Sequence, residues 1–346
     1  MTHDLPAFNA ALQLQFNFQI VEVDGSFKAC LNLDTMNEDG IVYHSYIANC
    51  VLNACTAYTA IMLNIVTIHA MRKTSSLPRL LKVLLLSLAV SDLGVGLVVQ
   101  PFYIAWLVKN LRQNSVSTVS NPGYEMDTAF FAIMNLFSCA SFFNVLALSV
   151  DRFLAVHLHL RYQELVTYKR VVIAVVSIWV FSAFFSSIKL WAPESSIKSL
   201  SVVVALLFGL CFICSTVIYY RIYLIVQRHR HHIQSIHEQL VAAPNDEISG
   251  EISGEISGIV MTVRKSAVGT FYVYLVFILC YMPGYCMMIV RMIASETNTA
   301  MREFDPYAWT LVFVNSSLNP VIYCWKMRHI RHVIMTMLRN TLANRN

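Results

Sequence analysis

The chain has 346 residues, 57% of them hydrophobic and only 13% charged, with a formal net charge of +5; its mean hydropathy is +0.57. A soluble domain carries about 25% charged residues, and the missing charge is not replaced by glycine or proline, which number 11 and 9. Soluble, collagen-like and disordered-polymer classes are thereby excluded, and one integral membrane bundle remains. The basic residues sit in short connectors beside apolar runs, which argues against nucleic acid as a partner.

In chain order, residues 1–42 hold acids and amides among scattered apolar residues. They have no basic start followed by an apolar core, so no cleaved signal peptide is expected. An apolar run of about 20 residues crosses a bilayer as a helix. Seven such runs follow, near 43–70, 79–108, 126–157, 168–191, 198–227, 264–294 and 305–325. This predicts an all-α fold, a seven-transmembrane helix bundle over 43–325. Residues 326–346 close the chain. There Trp325, Ile330, Val333, Ile334, Met337 and Leu338 recur at helical spacing, with Lys326, Arg328, Arg331 and Arg339 between them. That pattern predicts a short amphipathic helix along the inner membrane surface.

Orientation follows from the basic residues. With the N-terminus outside, the inner connectors and tail hold 18 of the 25 Lys and Arg, and the C-terminus is cytoplasmic. Residues 229–259 form the one long connector and include three copies of Glu-Ile-Ser-Gly. A tetrapeptide repeat without a packing register of its own predicts a flexible inner loop. Most of the nine cysteines fall inside apolar runs, where they read as small buried hydrophobes. Asn315-Ser316-Ser317 fits a glycosylation pattern but lies within a span.

Several polar residues stand where lipid does not tolerate them by chance. Asp92 lies deep in the second run. A lone carboxylate there costs several kcal/mol, so it is expected to face the bundle interior with partners. Candidates are Asn64, Ser141, Asn144, Asn315, Ser316 and Asn319. Such hard oxygen donors suit a small cation or water; a plain interhelical hydrogen-bond network is the other reading. Asp151-Arg152 ends the third run, where an arginine can reach water or a partner at the membrane edge. Pro283 and Pro320 each delete a backbone hydrogen bond in mid-membrane and are expected to kink their helices.

In this order the residues resemble the rhodopsin-like (class A) G-protein-coupled receptors, from about Tyr43 to Arg339. Asn64 matches the first-span asparagine, Asp92 a Leu-Ala-x-x-Asp motif, and Arg152 an Asp-Arg-Phe variant of Asp-Arg-Tyr. Trp179 matches the fourth-span tryptophan, Tyr219 the inner tyrosine of the fifth span, and Pro283 the sixth-span proline. Asn319-Pro320-x-x-Tyr323 is similar to the seventh-span motif. Departures accompany these matches. Asp127 stands where the family keeps a cysteine, and the connector 191–198 has none, so the common outer disulfide is expected to be absent. Cys211 replaces a fifth-span proline, and Tyr281 a sixth-span tryptophan. These departures resemble melanocortin, cannabinoid and lysophospholipid receptors, and Tyr-x-Arg-Ile is similar to adenosine receptors.

The resemblance implies a receptor, not an enzyme, in the plasma membrane. A small-molecule, lipid or peptide ligand would enter an outer pocket lined by Phe102, Trp106, Asp127, Phe130, Met134, Met288, Arg291, Trp309 and Phe313. Glu125 and Lys189 would lie near its rim. Met134 leaves a biogenic amine without its usual counter-ion, and Phe313 stands where opsins carry the retinal lysine, so no retinal is expected. Ligand binding would free Arg152 from Asp151 to meet Tyr219. Tyr323 would turn inward and the sixth span would swing at Pro283, with Tyr281, Asn319 and Pro320 in the same relay. Heterotrimeric G protein would engage the opened inner face, with arrestin as a further candidate. Asp92, Ser141, Asn315, Ser316 and Asn319 would hold an allosteric sodium ion, with no other metal or cofactor. Many relatives have an acid at the inner end of the sixth span, where Val263-Arg264-Lys265 stands here, so a weak resting lock and appreciable basal signalling are expected. A receptor-fold decoy or heteromer partner is the alternative. A transporter is a remote one, because the halves show no internal similarity.

Overall fold

The computed structural model describes residues 38–74, 77–115, 123–158, 161–191, 194–242, 247–293, 299–326 and 328–343. Helix α1 spans Glu38–Lys73. The second span is a composite of α2 (Arg79–Gly94), a π-helical segment (Val95–Val99) and α3 (Gln100–Ser115). The third span is α4, Gly123–Leu158, followed by a one-turn helix α5, Tyr162–Leu165. Spans four to seven are α6 (Tyr168–Trp191), α7 (Glu194–Ala242), α8 (Glu247–Ile293) and α9 (Thr299–Lys326). The amphipathic helix α10 covers Arg328–Ala343. The described residues are all-helical, and residues 1–37, with the readings placed on them, lie outside the description.

The third span is the central post. It packs against the second, fourth, fifth and sixth, while the seventh packs against the first and sixth. Close approach depends on small residues. A Cβ added at Gly94 would lie 2.0 Å from the Phe137 ring, and one at Gly96 would lie 3.0 Å from Ile61 and 3.2 Å from the Ala57 carbonyl. These glycines let the second span lie against the third and the first. The indole of Trp179 donates to the Ser87 hydroxyl at 3.1 Å, tying the fourth span to the second.

Six described helical stretches are long and apolar enough to cross a membrane: Tyr43–Lys73, Arg79–Leu111, Phe130–Leu158, Tyr168–Ile188, Ser201–Ile225 and Thr270–Ile293. The seventh, α9, falls short of that hydropathy because Thr310, Asn315, Ser316, Ser317 and Asn319 lie along it; all five are buried within the bundle. Its polarity is turned inward, where other spans answer it, so its apolar run is less continuous than the sequence reading expected.

The expected flexible loop 229–259 is corrected. The fifth-span helix continues to Ala242, and the sixth-span helix begins at Glu247, so the Glu-Ile-Ser-Gly copies are helical. A four-residue period lies close to the 3.6-residue turn, so isoleucines four apart fall on one face and the repeat does not oppose a helix. At about 1.5 Å per residue, the 49-residue fifth-span helix runs well past the thickness of a bilayer. Gly94→Ala should lower the detergent melting temperature, with an overpacking cost of about 1–3 kcal/mol; adding Phe137→Ala should recover part of the loss. A Gly94→Ala melt equal to wild type would show that the ring has room to move.

Candidate functional site

At the basic end of the bundle, the third span carries Asp151 and Arg152, both buried. Arg152 Nε donates to Asp151 Oδ2 at 2.9 Å, and its Nη2 reaches the same oxygen. The second carboxylate oxygen, Oδ1, accepts from the Tyr162 hydroxyl at 2.5 Å. Burial and then the neighbouring Asp151 carboxylate push the Tyr162 phenol above its ordinary value, so it stays a donor at neutral pH. Tyr162 sits on α5, whose single turn follows the third span and brings the ring back beneath it. Nothing in the sequence pattern singled it out, because its role depends on that reversal.

Tyr219, on the fifth span, does not touch Asp151; its hydroxyl donates to the Thr270 carbonyl of the sixth at 3.0 Å. Tyr323 is buried, and its hydroxyl has no hydrogen-bond partner. Pro320, lacking an N–H, leaves the carbonyl of Ser316, four residues earlier, without its helical donor. Asn64 Nδ2 supplies one at 2.9 Å. The first-span asparagine thus closes a gap that the seventh-span proline opens.

Higher in the bundle Asp92 is fully buried, and Asn319 Nδ2 donates to its Oδ2 at 2.8 Å. The Ser316 and Ser141 hydroxyls flank the same carboxyl. Asp92 Oδ1, Ser141 Oγ, Asn319 Oδ1 and both amide atoms of Asn315 are buried and have no hydrogen-bond partner of good geometry. Buried polar atoms left in this way are costly in protein and more so in lipid. Asn319, Ser316 and Ser141 thus meet at Asp92, and the buried oxygens here are rich in uncommitted lone pairs.

Level with the Asp92 group, Phe142, the neighbour of Ser141, anchors an aromatic block. Phe142 of the third span contacts Phe208 at 4.5 Å and Phe212 and Phe277 at 5.2 Å between ring centroids. Tyr281 stacks on Phe277 at 4.3 Å and donates to the Ser138 carbonyl at 3.4 Å. It lies two residues, about half a turn, before the helix-interior Pro283. The Tyr281 phenol thus bridges the sixth and third spans.

At the opposite end Phe130, Met134 and Phe313 are buried, with Trp106, Met288 and Trp309 partly so. Phe102 is corrected: it is 43% exposed, and the neighbouring Tyr103 occupies the interior at 1%. The cause is the π segment Val95–Val99, whose extra residue turns everything beyond it by about 100° relative to a straight helix. Tyr103 stacks with Trp106 and Phe130, meets Phe313 edge-on, and donates to the Pro306 carbonyl at 3.1 Å. Arg291 of the sixth span pairs with Asp305 of the seventh. The side chains of Asp127, Glu125 and Lys189 lie outside the description.

A second buried polar group stands behind this block. Asn53 Nδ2 donates to Thr310 Oγ1 at 2.8 Å, Thr310 Oγ1 donates to Asn49 Oδ1 at 2.6 Å, and Gln100 Nε2 donates to Thr56 Oγ1 at 2.7 Å. It ties the first span to the seventh and second. Its sequence signal was the four-residue spacing of Ser45, Asn49 and Asn53 inside an apolar run.

A helical bundle with a buried carboxylate among amides and hydroxyls at mid-depth, proline-bearing sixth and seventh spans and an acid–arginine pair at one end defines a multi-pass membrane protein. The chain matches the family described as 7 transmembrane receptor (rhodopsin family) over residues 63–323. It is 25% identical to the histamine H2 receptor of Canis lupus familiaris over 302 residues, covering 82% of this chain and 77% of that receptor. It is 24% identical to melanocortin receptor 3 of Rattus norvegicus, covering 81% of each. It is also 24% identical to adenosine receptor A2b of Gallus gallus, covering 85% of this chain and 88% of that one. The chain belongs to the rhodopsin family of seven-transmembrane receptors and is a G-protein-coupled receptor. Melanocortin and adenosine receptors fall within the expected neighbourhood; the histamine H2 receptor was not part of it.

Tyr162→Phe removes one hydrogen bond from the Asp151 carboxylate, worth about 1 kcal/mol. Ligand-free nucleotide exchange on G protein should rise roughly fivefold, by the same figure. An unchanged rate at normal expression would place this contact outside the resting restraint.

Proposed function

We propose that this receptor lies in the plasma membrane with its N-terminus outside, and that it takes an apolar or amphipathic ligand among Trp106, Phe130, Met134, Met288, Trp309 and Phe313. The excess of basic residues at the Arg152 end supports that orientation. Apolar walls with a few polar groups at the rim suit a ligand of this kind. Tyr103 joins the lining in place of Phe102, and the Arg291–Asp305 pair marks its outer edge. Met134 offers no counter-ion to a cationic amine, and no lysine lies in α9 between Phe304 and Trp325 to carry retinal.

The observation that carries the mechanism is the buried Asp151–Arg152 pair, braced by Tyr162. A ligand shifts the bundle only by its differential affinity for two shapes. In the resting shape Arg152 is held by Asp151. In the signalling shape the sixth span swings at Pro283, Arg152 moves to Tyr219, and Tyr323 turns its unpartnered hydroxyl inward. The opened inner face then receives the G protein, and the same face would serve arrestin.

Asp92, Ser141, Asn315, Ser316 and Asn319 would hold a sodium ion in the resting shape. The fit rests on buried oxygens at Asp92, Ser141, Asn315 and Asn319 that lack protein donors. The ion would supply positive charge to a carboxylate that hydrocarbon otherwise penalises. By linkage, an ion that favours rest opposes activation.

Replacing sodium with N-methyl-glucamine should therefore raise ligand-free G-protein activation, and Asp92→Asn should abolish the difference between the two salts. Equal activity of the wild type in both, in protein with a normal melt, would count against the ion. Trp309→Ala and Phe313→Ala should each weaken any agonist found by screening by roughly tenfold or more, as for a central aromatic contact. Undiminished potency would move the pocket elsewhere.

A further inference from the structure

The sixth span carries the basic pair Arg264-Lys265 towards its inner end. Just above that point it is gripped from two sides. From the fifth span, Tyr219 donates to the Thr270 carbonyl at 3.0 Å and stacks on Tyr274 at 4.5 Å between centroids. The Tyr274 hydroxyl in turn lies 2.7 Å from Thr216 Oγ1. From the seventh span, Lys326 Nζ sits 3.9 Å above the Tyr272 ring and 3.5 Å from the Trp325 ring, and those two rings meet edge-on at 5.2 Å.

We infer that Lys326 and Trp325 form a cation–π clasp on Tyr272 that holds the sixth span against the seventh at rest. An ammonium over an aromatic face is attracted to the ring, and more strongly where water is partly excluded. Lys326 is the last residue of α9, and Tyr272 lies on the sixth span nearly three turns inward of Pro283. An outward swing about Pro283 separates the two ends, so the clasp exists in one shape and is lost in the other. A contact made only at rest raises the resting population. The clasp rests on the swing described under the proposed function.

A different role is open to the same three residues. Tyr, Trp and Lys also anchor helix ends at the lipid headgroups, and such anchors act singly and do not bear on the resting equilibrium. The test uses the full receptor in lipid nanodiscs with a purified heterotrimer, reading ligand-free GTPγS uptake and amide hydrogen exchange over residues 264–275. Lys326→Gln and Tyr272→Leu should each raise uptake roughly three- to tenfold and speed amide exchange in that segment. Lys326→Arg and Tyr272→Phe, which keep the cation and the ring, should stay near wild type. The double variant Lys326→Gln/Tyr272→Leu should go no further than the larger single change, because both remove one interaction. Unchanged uptake and amide exchange in both disruptive variants, at a normal melting temperature, would overturn the clasp. Additive effects of the two substitutions would also overturn it and leave two independent anchors. If no heterotrimer responds to any form, the coupling has failed by itself, and the amide exchange alone decides on the clasp.

Discussion

A guanidinium buried beside a carboxylate at the edge of a hydrocarbon layer is the constraint on which the molecule depends. Arg152 and Asp151 are neighbours on one helix, and each supplies the other with an opposite charge. Breaking such a pair leaves two uncompensated groups, which is costly where burial is nearly complete. The structure contains the means to offset that cost: Tyr162 holds the second carboxylate oxygen, and Tyr219 stands on the fifth span with its hydroxyl on the Thr270 carbonyl. The pair is therefore stable in place and has somewhere to go.

The rest of the bundle is arranged so that a change of shape can reach this pair. Polar groups run through the membrane in steps, from Asn49, Asn53, Thr310 and Gln100 to Asp92, Ser316 and Asn319, then to Tyr323. The first, second and seventh spans are cross-linked by these bonds. The third, fifth and sixth meet mainly through the rings of Phe142, Phe208, Phe212, Phe277 and Tyr281. Interhelical hydrogen bonds in membranes are individually worth only about 0.6 kcal/mol, yet they demand geometry that ring contacts do not. One half of the bundle is fixed by direction, the other by area, and the proline at 283 lies in the half free to move.

Much of this was legible in the sequence, and the reason is the solvent. In lipid each charged or amide side chain must be explained, so Asp92, Asn64, Asn319 and Arg152 stood out singly and then as a set. Pro320 could be read as a broken hydrogen bond, though that Asn64 mends it through the Ser316 carbonyl required coordinates. What escaped were features that depend on register or on chain reversal. Phe102 was misplaced because a single π turn rotates the second span. Tyr162 was invisible because its partner lies across a connector. The Glu-Ile-Ser-Gly copies were misread because low complexity was given more weight than their near-helical period. Tyr272 had no sequence signal of its own and Lys326 read as one of the basic residues of the inner helix; only the distance between ammonium and ring says more.

The most direct measurement is G-protein activation by an Arg152→Ala receptor whose surface expression and melting temperature match the wild type. The account predicts loss of both ligand-free and ligand-driven activation, because the group that must leave Asp151 and reach Tyr219 is gone. Activation undiminished in that variant would contradict it, since the inner face would then open and engage its partner without the arginine.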